Sequence, residues 1–363
     1  MPFQKGQHAI IFGERGVGKT SLAKVLSSFV STTIKLLATR INCDKQDTFD
    51  SVWRKIFDEM NLTKGRVSVG FTPTVQSQNI SSAHFFPKGQ ITTNDVRKAL
   101  IEISEVFFPV LIVDEFDRLH EDGRKLFADL IKSLSDYSLK ATIVLIGVGE
   151  SVNELIKEHQ SVSRSLVQIQ MPRMNEEEID GIITNALGRL GMSISKENLS
   201  SFYLLSKGLP HYAHLTGMHA TRDALEKESL VIKEENINAA IKKAITDSQQ
   251  SIKTEYHKAI RSAYKGNLYA DVLLACALAN VNEFEEFAAQ DVRTPLNKIT
   301  GRSLDIPHYA QHLKEFTEAK RGCILTRSGE KRSYRYKFTD PLMQPYIIMQ
   351  GIVDGKISPQ TLV

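Results

Sequence analysis

The sequence predicts an α/β protein: a parallel sheet with helices on both faces, then an all-α stretch, then helices closed by a basic hairpin. Three observations carry this. Strand-like and helical segments alternate over residues 8–171, the pattern of βαβ units. Helical periodicity alone runs from residue 175 to about residue 265. Near the C-terminus, two strand-like runs flank Ser328-Gly329-Glu330-Lys331 after two further helical segments.

Each element has its reason. Residues 8–12 are a short apolar strand entering a glycine loop. Residues 20–29 predict a helix with Leu22, Val25, Leu26 and Phe29 on its apolar face. Residues 34–41 predict a second strand, ending at Asn42, and 48–60 a helix through Phe49, Val52, Trp53, Ile56 and Phe57. Residues 63–93 are rich in Ser, Thr, Gln and Gly without a period and read as a long loop. A helix over 94–106, capped by Asn94, leads to a continuously apolar run over 109–113, as in a central parallel strand. A helix over 123–134 and strands over 141–146 and 167–171 complete this half.

Beyond Pro172 the predicted helices cover 175–190, 196–207, 210–226 and a broken 234–262. Asn175 caps Glu176, Glu177 and Glu178, which suit the positive end of a helix. Helices over 269–279 and 306–319, then strands over 323–327 and 332–338, describe a winged helix. Tyr334, Tyr336 and Phe338 alternate there with Ser333, Arg335 and Lys337. The expected domains are 1–172, 173–262 and 263–345, with 346–363 as a tail.

Composition narrows the class. The 363 residues, 42% hydrophobic and 24% charged, describe a globular protein of two or three domains. No signal peptide precedes the first strand, and the apolar runs near Val110 and Leu273 are too short to span a bilayer. Cys43, Cys276 and Cys323 lack metal-ligand spacing, which points to a reduced, cytoplasmic chain. His308 and His312 lack a third metal ligand. Of the net charge of +4, residues 301–345 supply nine Lys/Arg against five Asp/Glu. Within them Arg327, Lys331, Arg332 and Arg335 are candidate contacts to the backbone of double-stranded DNA.

Gly13-Glu14-Arg15-Gly16-Val17-Gly18-Lys19-Thr20 fits G-x-x-x-x-G-K-[ST] without deviation, and Ser21 follows. Its glycines let backbone N–H groups curl around phosphate oxygens, aided by the positive end of the following helix. Lys19 is expected to reach the β- and γ-phosphates of ATP and Thr20 to ligate Mg²⁺. The apolar run 110–113 delivers Asp114 and Glu115 to a strand's C-terminal end, where open α/β sheets bind ligands. Asp114 is expected to hold Mg²⁺ through water and Glu115 to polarise the attacking water.

These two motifs resemble those of AAA+ ATPases. Asp114-Glu115-Phe116-Asp117-Arg118-Leu119 is most similar to the branch of origin-recognition-type initiators and transposition regulators. The resemblance covers most of the chain. It implies a P-loop NTPase sheet, an all-α lid, a winged helix and a homo-oligomer with ATP at subunit interfaces. It also implies a neighbour-facing arginine before the last core strand, which is Arg164 here, with Arg173 as runner-up. Where initiators carry a sensor asparagine, this chain has Gly147-Val148-Gly149-Glu150-Ser151, a departure that implies slow or partner-stimulated hydrolysis. Asn42 resembles a polar switch residue and reads equally as a strand-end turn residue. Gly208-Leu209-Pro210-His211, where AAA+ lids carry an arginine, is similar to the STAND class of signalling ATPases. It also reads as a C-cap glycine and an N1 proline, with Pro210 and His211 as candidate nucleotide contacts. Related proteins have a segment enclosing the adenine base before the first strand, and only seven residues precede His8 here. The expected function is that of a DNA-associated, ATP-hydrolysing switch or remodeller with an unidentified protein partner. The alternative is a STAND-like regulator of a partner protein, linked to defence or a toxin, without direct DNA contact. A metabolic kinase fits poorly, because Glu115 beside Asp114 suits water activation.

Overall fold

The computed structural model describes residues 5–32, 36–60, 63–67, 75–79, 85–86, 89–149, 151–156, 162–264, 266–330 and 333–358, with the backbone alone at 63–67, 75–79, 153 and 163. The chain divides into two compact units: residues 1–14 with 18–172, and residues 15–17 with 173–363.

The first unit is built on β1 (His8–Gly13), β2 (Leu36–Asn42), β5 (Phe108–Asp114), β6 (Thr142–Val148) and β7 (Leu166–Gln170), in the order β2-β5-β6-β1-β7. All pairings are parallel, so every strand ends at the same edge of the sheet. At that edge Asn42 lies in register with Asp114. The two-residue period sorts the side chains. Ile10, Phe12, Leu111, Val113, Ile143 and Leu145 join one core cluster. Ile11, Val110, Ile112, Val144 and Ile146 join the other. The three inner strands, β5, β6 and β1, are apolar on both faces because helices cover both.

The larger cluster holds α2 (Phe49–Glu59), α3 (Thr93–Ser104) and α4 (Glu121–Asp136). Trp53 and Phe127 stack there with centroids 5.6 Å apart. Phe116, fully buried, meets Phe127 edge-on at 5.4 Å. That contact anchors the turn that follows Asp114. α2 starts with a capping box, in which Thr48 and Ser51 satisfy each other's N–H groups.

On the other face, α1 (Lys19–Ser31) buries Ala23 and Val30. This corrects the face expected for that helix: Val25 and Phe29 are 66% and 63% exposed, and Leu22 is exposed too. Of the four expected residues only Leu26 packs against the core, beside the buried Ala23 and Val30.

The expected loop over 63–93 contains an antiparallel pair, β3 (Thr63–Val67) and β4 (Val75–Asn79). The two segments, Thr-Lys-Gly-Arg-Val and Val-Gln-Ser-Gln-Asn, carry no apolar–polar alternation to read in the sequence. α3 is capped by Thr92, paired with Asp95, two residues earlier than the expected Asn94. A short α5 (Val152–Leu155) precedes β7.

The second unit begins with α6 (Glu176–Arg189), where Asn175 and Glu178 form the expected cap at 2.9 Å in both directions. α7 (Lys196–Ser206) and α8 (Pro210–Glu226) follow, joined through Lys207 and Gly208, both at positive φ. A Cβ on Gly208 would lie 2.4 Å from the Met174 carbonyl oxygen, so only glycine fits. Pro210 opens α8 at its first turn. α9 (Glu234–Asp247) and α10 (Gln250–Ile260) are the expected broken helix. The two-residue strands β8 (Ser193–Ile194) and β9 (Val231–Ile232) pair in parallel.

α11 (Tyr269–Leu278), β10 (Phe287–Ala288), α12 (Ala289–Thr300), α13 (Ile306–Phe316), β11 (Leu325–Ser328), β12 (Arg335–Phe338) and α14 (Met343–Val353) complete the chain. β10, β12 and β11 form a three-stranded antiparallel sheet whose buried face carries Phe287, Leu325, Tyr336 and Phe338. The residues expected as a tail begin inside α14, where Tyr346, Ile347, Ile348 and Met349 are buried. No helix among the described residues is long and apolar enough to cross a membrane.

Candidate phosphate and metal site

β1 carries the chain to the sheet edge and ends at Gly13, where a Cβ would stand 2.4 Å from the Met171 carbonyl oxygen. A side chain there would push the loop off β7. Gly16 and Gly18 adopt φ of 91° and 98°, the left-handed region that favours glycine. Gly18 caps α1 without a side-chain bond, and the first turn holds no acidic residue. Its N–H groups therefore remain suited to an anion.

Lys19 folds back into this curl. Its Nζ donates to the carbonyl oxygens of Gly13 at 2.9 Å and Glu14 at 2.7 Å. The residue is 8% exposed. Burial pushes its ammonium down to about 8, although Asp117, Asp114 and Glu14 pull the other way. Thr20 and Ser21, next on α1, are exposed.

At the end of β5 the Asp114 carboxylate is buried and fully engaged. Its Oδ1 accepts the N–H of Glu115 at 2.9 Å, and its Oδ2 accepts from Arg40 Nη2 at 2.9 Å. Glu115 sits at φ 56°, an unusual conformation for a residue with a side chain, and starts the 3₁₀ turn of Phe116–Arg118. Its half-exposed carboxylate accepts from Arg118 Nη1 at 2.9 Å. Asp117, in the same turn, accepts the Val148 N–H at 2.8 Å and so ties the turn to the end of β6.

The motif residues of the first unit thus converge on one sheet edge, and the structure adds Arg40 and Asp117 to them. Neither stood out in the sequence. Arg40 needs the β2–β5 pairing to be known, and Asp117 had only its place three residues after Asp114 as a signal.

The other candidates stand as follows. Glu150 lies outside the described residues, and Ser151 precedes α5 without a side-chain cap. Arg164 is exposed in the 3₁₀ turn before β7. Arg173 is largely buried in the second unit, bound to Glu285 at 3.1 Å and to Gln344 Oε1 at 2.7 Å. It is therefore poorly placed to reach outward. Pro210 is buried and His211 exposed in the first turn of α8. Arg327 stacks over Tyr334 at 4.1 Å, and Arg335 is exposed near Asp291 at 3.9 Å. Lys331 and Arg332 lie outside the described residues.

The glycine cradle and buried ammonium fit a polyphosphate. Among the described residues no group of three or more His, Cys, Asp or Glu could hold a metal. A Thr20 hydroxyl and an Asp114 carboxylate fit Mg²⁺, which takes one or two protein oxygens and fills its shell with phosphate and water.

Residues 4–156 match the family model of the AAA domain. No curated protein sequence matches the chain. The structure is similar to the Aeropyrum pernix ORC2 protein, solved in ADPNP–ADP complexes, at 14% identity, over 98% of this chain and 89% of that one, with a TM-score of 0.51. It is also similar to a Walker-type ATPase of Pyrococcus abyssi at 15% identity, over 93% and 90% of the two chains, with a TM-score of 0.55. The fold is that of the P-loop NTPases of AAA+ type, followed by a mostly helical C-terminal region.

Proposed function

We propose that the chain binds ATP with Mg²⁺ and hydrolyses it slowly, as an oligomerising, DNA-associated switch. The observation that carries this reading is the buried Lys19 ammonium, held by two loop carbonyls inside a glycine cradle at the sheet edge where Asp114 and Glu115 also end. Lys19 exchanges those carbonyls for phosphate oxygens, and the loop's N–H groups take the remaining anionic oxygens. Thr20 and Asp114 would hold a magnesium ion, which would supply charge neutralisation at the phosphates. Glu115 orients and polarises the attacking water. Arg164 supplies charge to a neighbouring subunit's site. The nucleotides bound by the A. pernix protein support the first of these steps.

Lys19 gives the reading a pH signature. Its ammonium, pushed down to about 8 by burial, should titrate higher when phosphate oxygens surround it. ATP binding therefore takes up protons through this group, more above pH 8 than at pH 7. Calorimetry in buffers of different ionisation enthalpy measures the uptake; no rise in uptake between pH 7 and pH 8.5 would contradict the lowered Lys19 pKa.

The DNA association rests on the β11–β12 hairpin, read as the wing of a winged helix. Arg327, opposite Tyr336, and Arg335, opposite Ser328, are both exposed, one on each face of the hairpin. Each phosphate contact releases counterions, so affinity should fall steeply with salt. Fluorescence anisotropy with a DNA duplex should show this, and Arg327→Ala/Arg335→Ala should reduce the log–log salt slope by about 2. A wild-type chain without DNA affinity that captures a protein partner with ATP would instead favour the regulatory switch.

A further inference from the structure

Asp114 ends β5 with a 2% exposed residue surface, and a buried carboxylate needs a cation. In this chain the cation is Arg40, on the neighbouring strand β2. Arg40 lies two residues before the strand end, in register with Ile112, and its side chain runs forward along the edge. Its Nη2 donates to Asp114 Oδ2 at 2.9 Å and to Asn42 Oδ1 at 3.0 Å. The Arg40 side chain is 20% exposed, so the pair is shielded from solvent. With the Glu115 N–H on Oδ1, neither oxygen of Asp114 is idle.

A residue that is to hold a hydrated divalent cation is therefore already paired with a resident monovalent one. The two cations compete for one carboxylate in a place of low dielectric, where like charges repel strongly. We propose that Arg40 is a positioning residue that holds the Asp114 carboxylate and Asn42 and makes entry of Mg²⁺ a cation exchange. The inference rests on the nucleotide reading above and assigns it a control: the arginine sets the magnesium concentration at which the metal–nucleotide complex forms. When Mg²⁺ enters, the Arg40 guanidinium swings from Oδ2 and releases Asn42 with it. The strand-end amide at the edge of the site thereby senses whether metal is bound.

A role confined to stability would show differently. Removing Arg40 would then lower the melting temperature and leave the magnesium requirement where it was. A role in gripping phosphate directly would weaken ATP binding in EDTA and raise the magnesium requirement.

The test follows a fluorescent ATP analogue binding to the full chain while Mg²⁺ is titrated, for wild type, Arg40→Gln and Arg40→Lys. Arg40→Gln should lower the half-saturating Mg²⁺ concentration about tenfold without tightening binding in EDTA, since the carboxylate is then free for the metal. Arg40→Lys, which keeps a cation, should stay within about threefold of wild type. Circular dichroism reports whether each variant folds; if Arg40→Gln does not, Arg40→Met provides the same neutral comparison. A folded neutral variant with an unchanged or raised magnesium requirement overturns the inference and leaves the nucleotide reading standing. A folded wild-type chain that shows no magnesium-dependent binding of the analogue overturns both.

Discussion

Lys19→Ala should weaken ATP binding by about a hundredfold or more while leaving the chain folded. The ammonium is buried, it donates to two backbone carbonyls, and the triphosphate offers it several anionic oxygens in their place. Charge-assisted contacts in such a sheltered site are worth about 3 kcal/mol, which is roughly 150-fold in affinity. The fold should survive because the substitution removes a buried charge. The Lys19 pKa falls from 10.5 in the unfolded chain to about 8 in the folded one, so the unfolded state binds more protons between those values. The charged lysine therefore costs stability below pH 8, and the cost vanishes as pH rises through the window. Thermal melts at pH 7 should show the alanine variant no less stable than wild type. Calorimetric titration gives the affinities; comparable binding in a folded Lys19→Ala variant would remove the phosphate role assigned to the loop.

The second large effect concerns hydrolysis. Glu115→Gln should cut the steady-state rate by two to three orders of magnitude, the range of a general base at a positioned water, with ATP affinity changed less than about threefold. Glutamine keeps the shape and still accepts from Arg118, so the turn that Phe116 anchors stays in place. What is lost is the carboxylate that polarises water. Phosphate release under saturating ATP measures the loss. If Arg164 acts across a subunit boundary, mixing Glu115→Gln with Arg164→Ala chains should restore part of the rate. In mixed assemblies an intact glutamate can then face an intact arginine. A Glu115→Gln chain that hydrolyses at the wild-type rate would move the base elsewhere, with Asp117 the first residue to examine.

Much of this was legible in the sequence because its signals are local. The strands of the sheet declared themselves as apolar runs, and the glycine spacing before Lys19 placed the cradle. Asn175 as an N-cap and the Gly208–Pro210 junction followed from capping chemistry, although the cap itself falls on Lys207, one residue before the glycine. What failed depended on partners distant in sequence. Val25 and Phe29 share the period of a buried stripe, yet Ala23 and Val30 face the sheet, since the close approach of a helix selects the small residue. The β3 and β4 segments are mostly polar in sequence and hid inside a stretch that reads as loop. Prolines masked two helices. Pro345 stands at the third position of α14, where its missing N–H costs nothing, and Pro295 lies inside α12. Arg40 was invisible for the plainest reason: only the strand order places β2 beside β5 and its guanidinium on Asp114.

Every step proposed above depends on a single nucleotide site at the glycine loop. Isothermal titration of the wild-type chain with ATP in excess Mg²⁺ should give one ATP per chain, with binding weakened when EDTA removes the metal and lost in Lys19→Ala. A folded wild-type chain that takes up no ATP, or that takes it up equally well after Lys19→Ala, would contradict it.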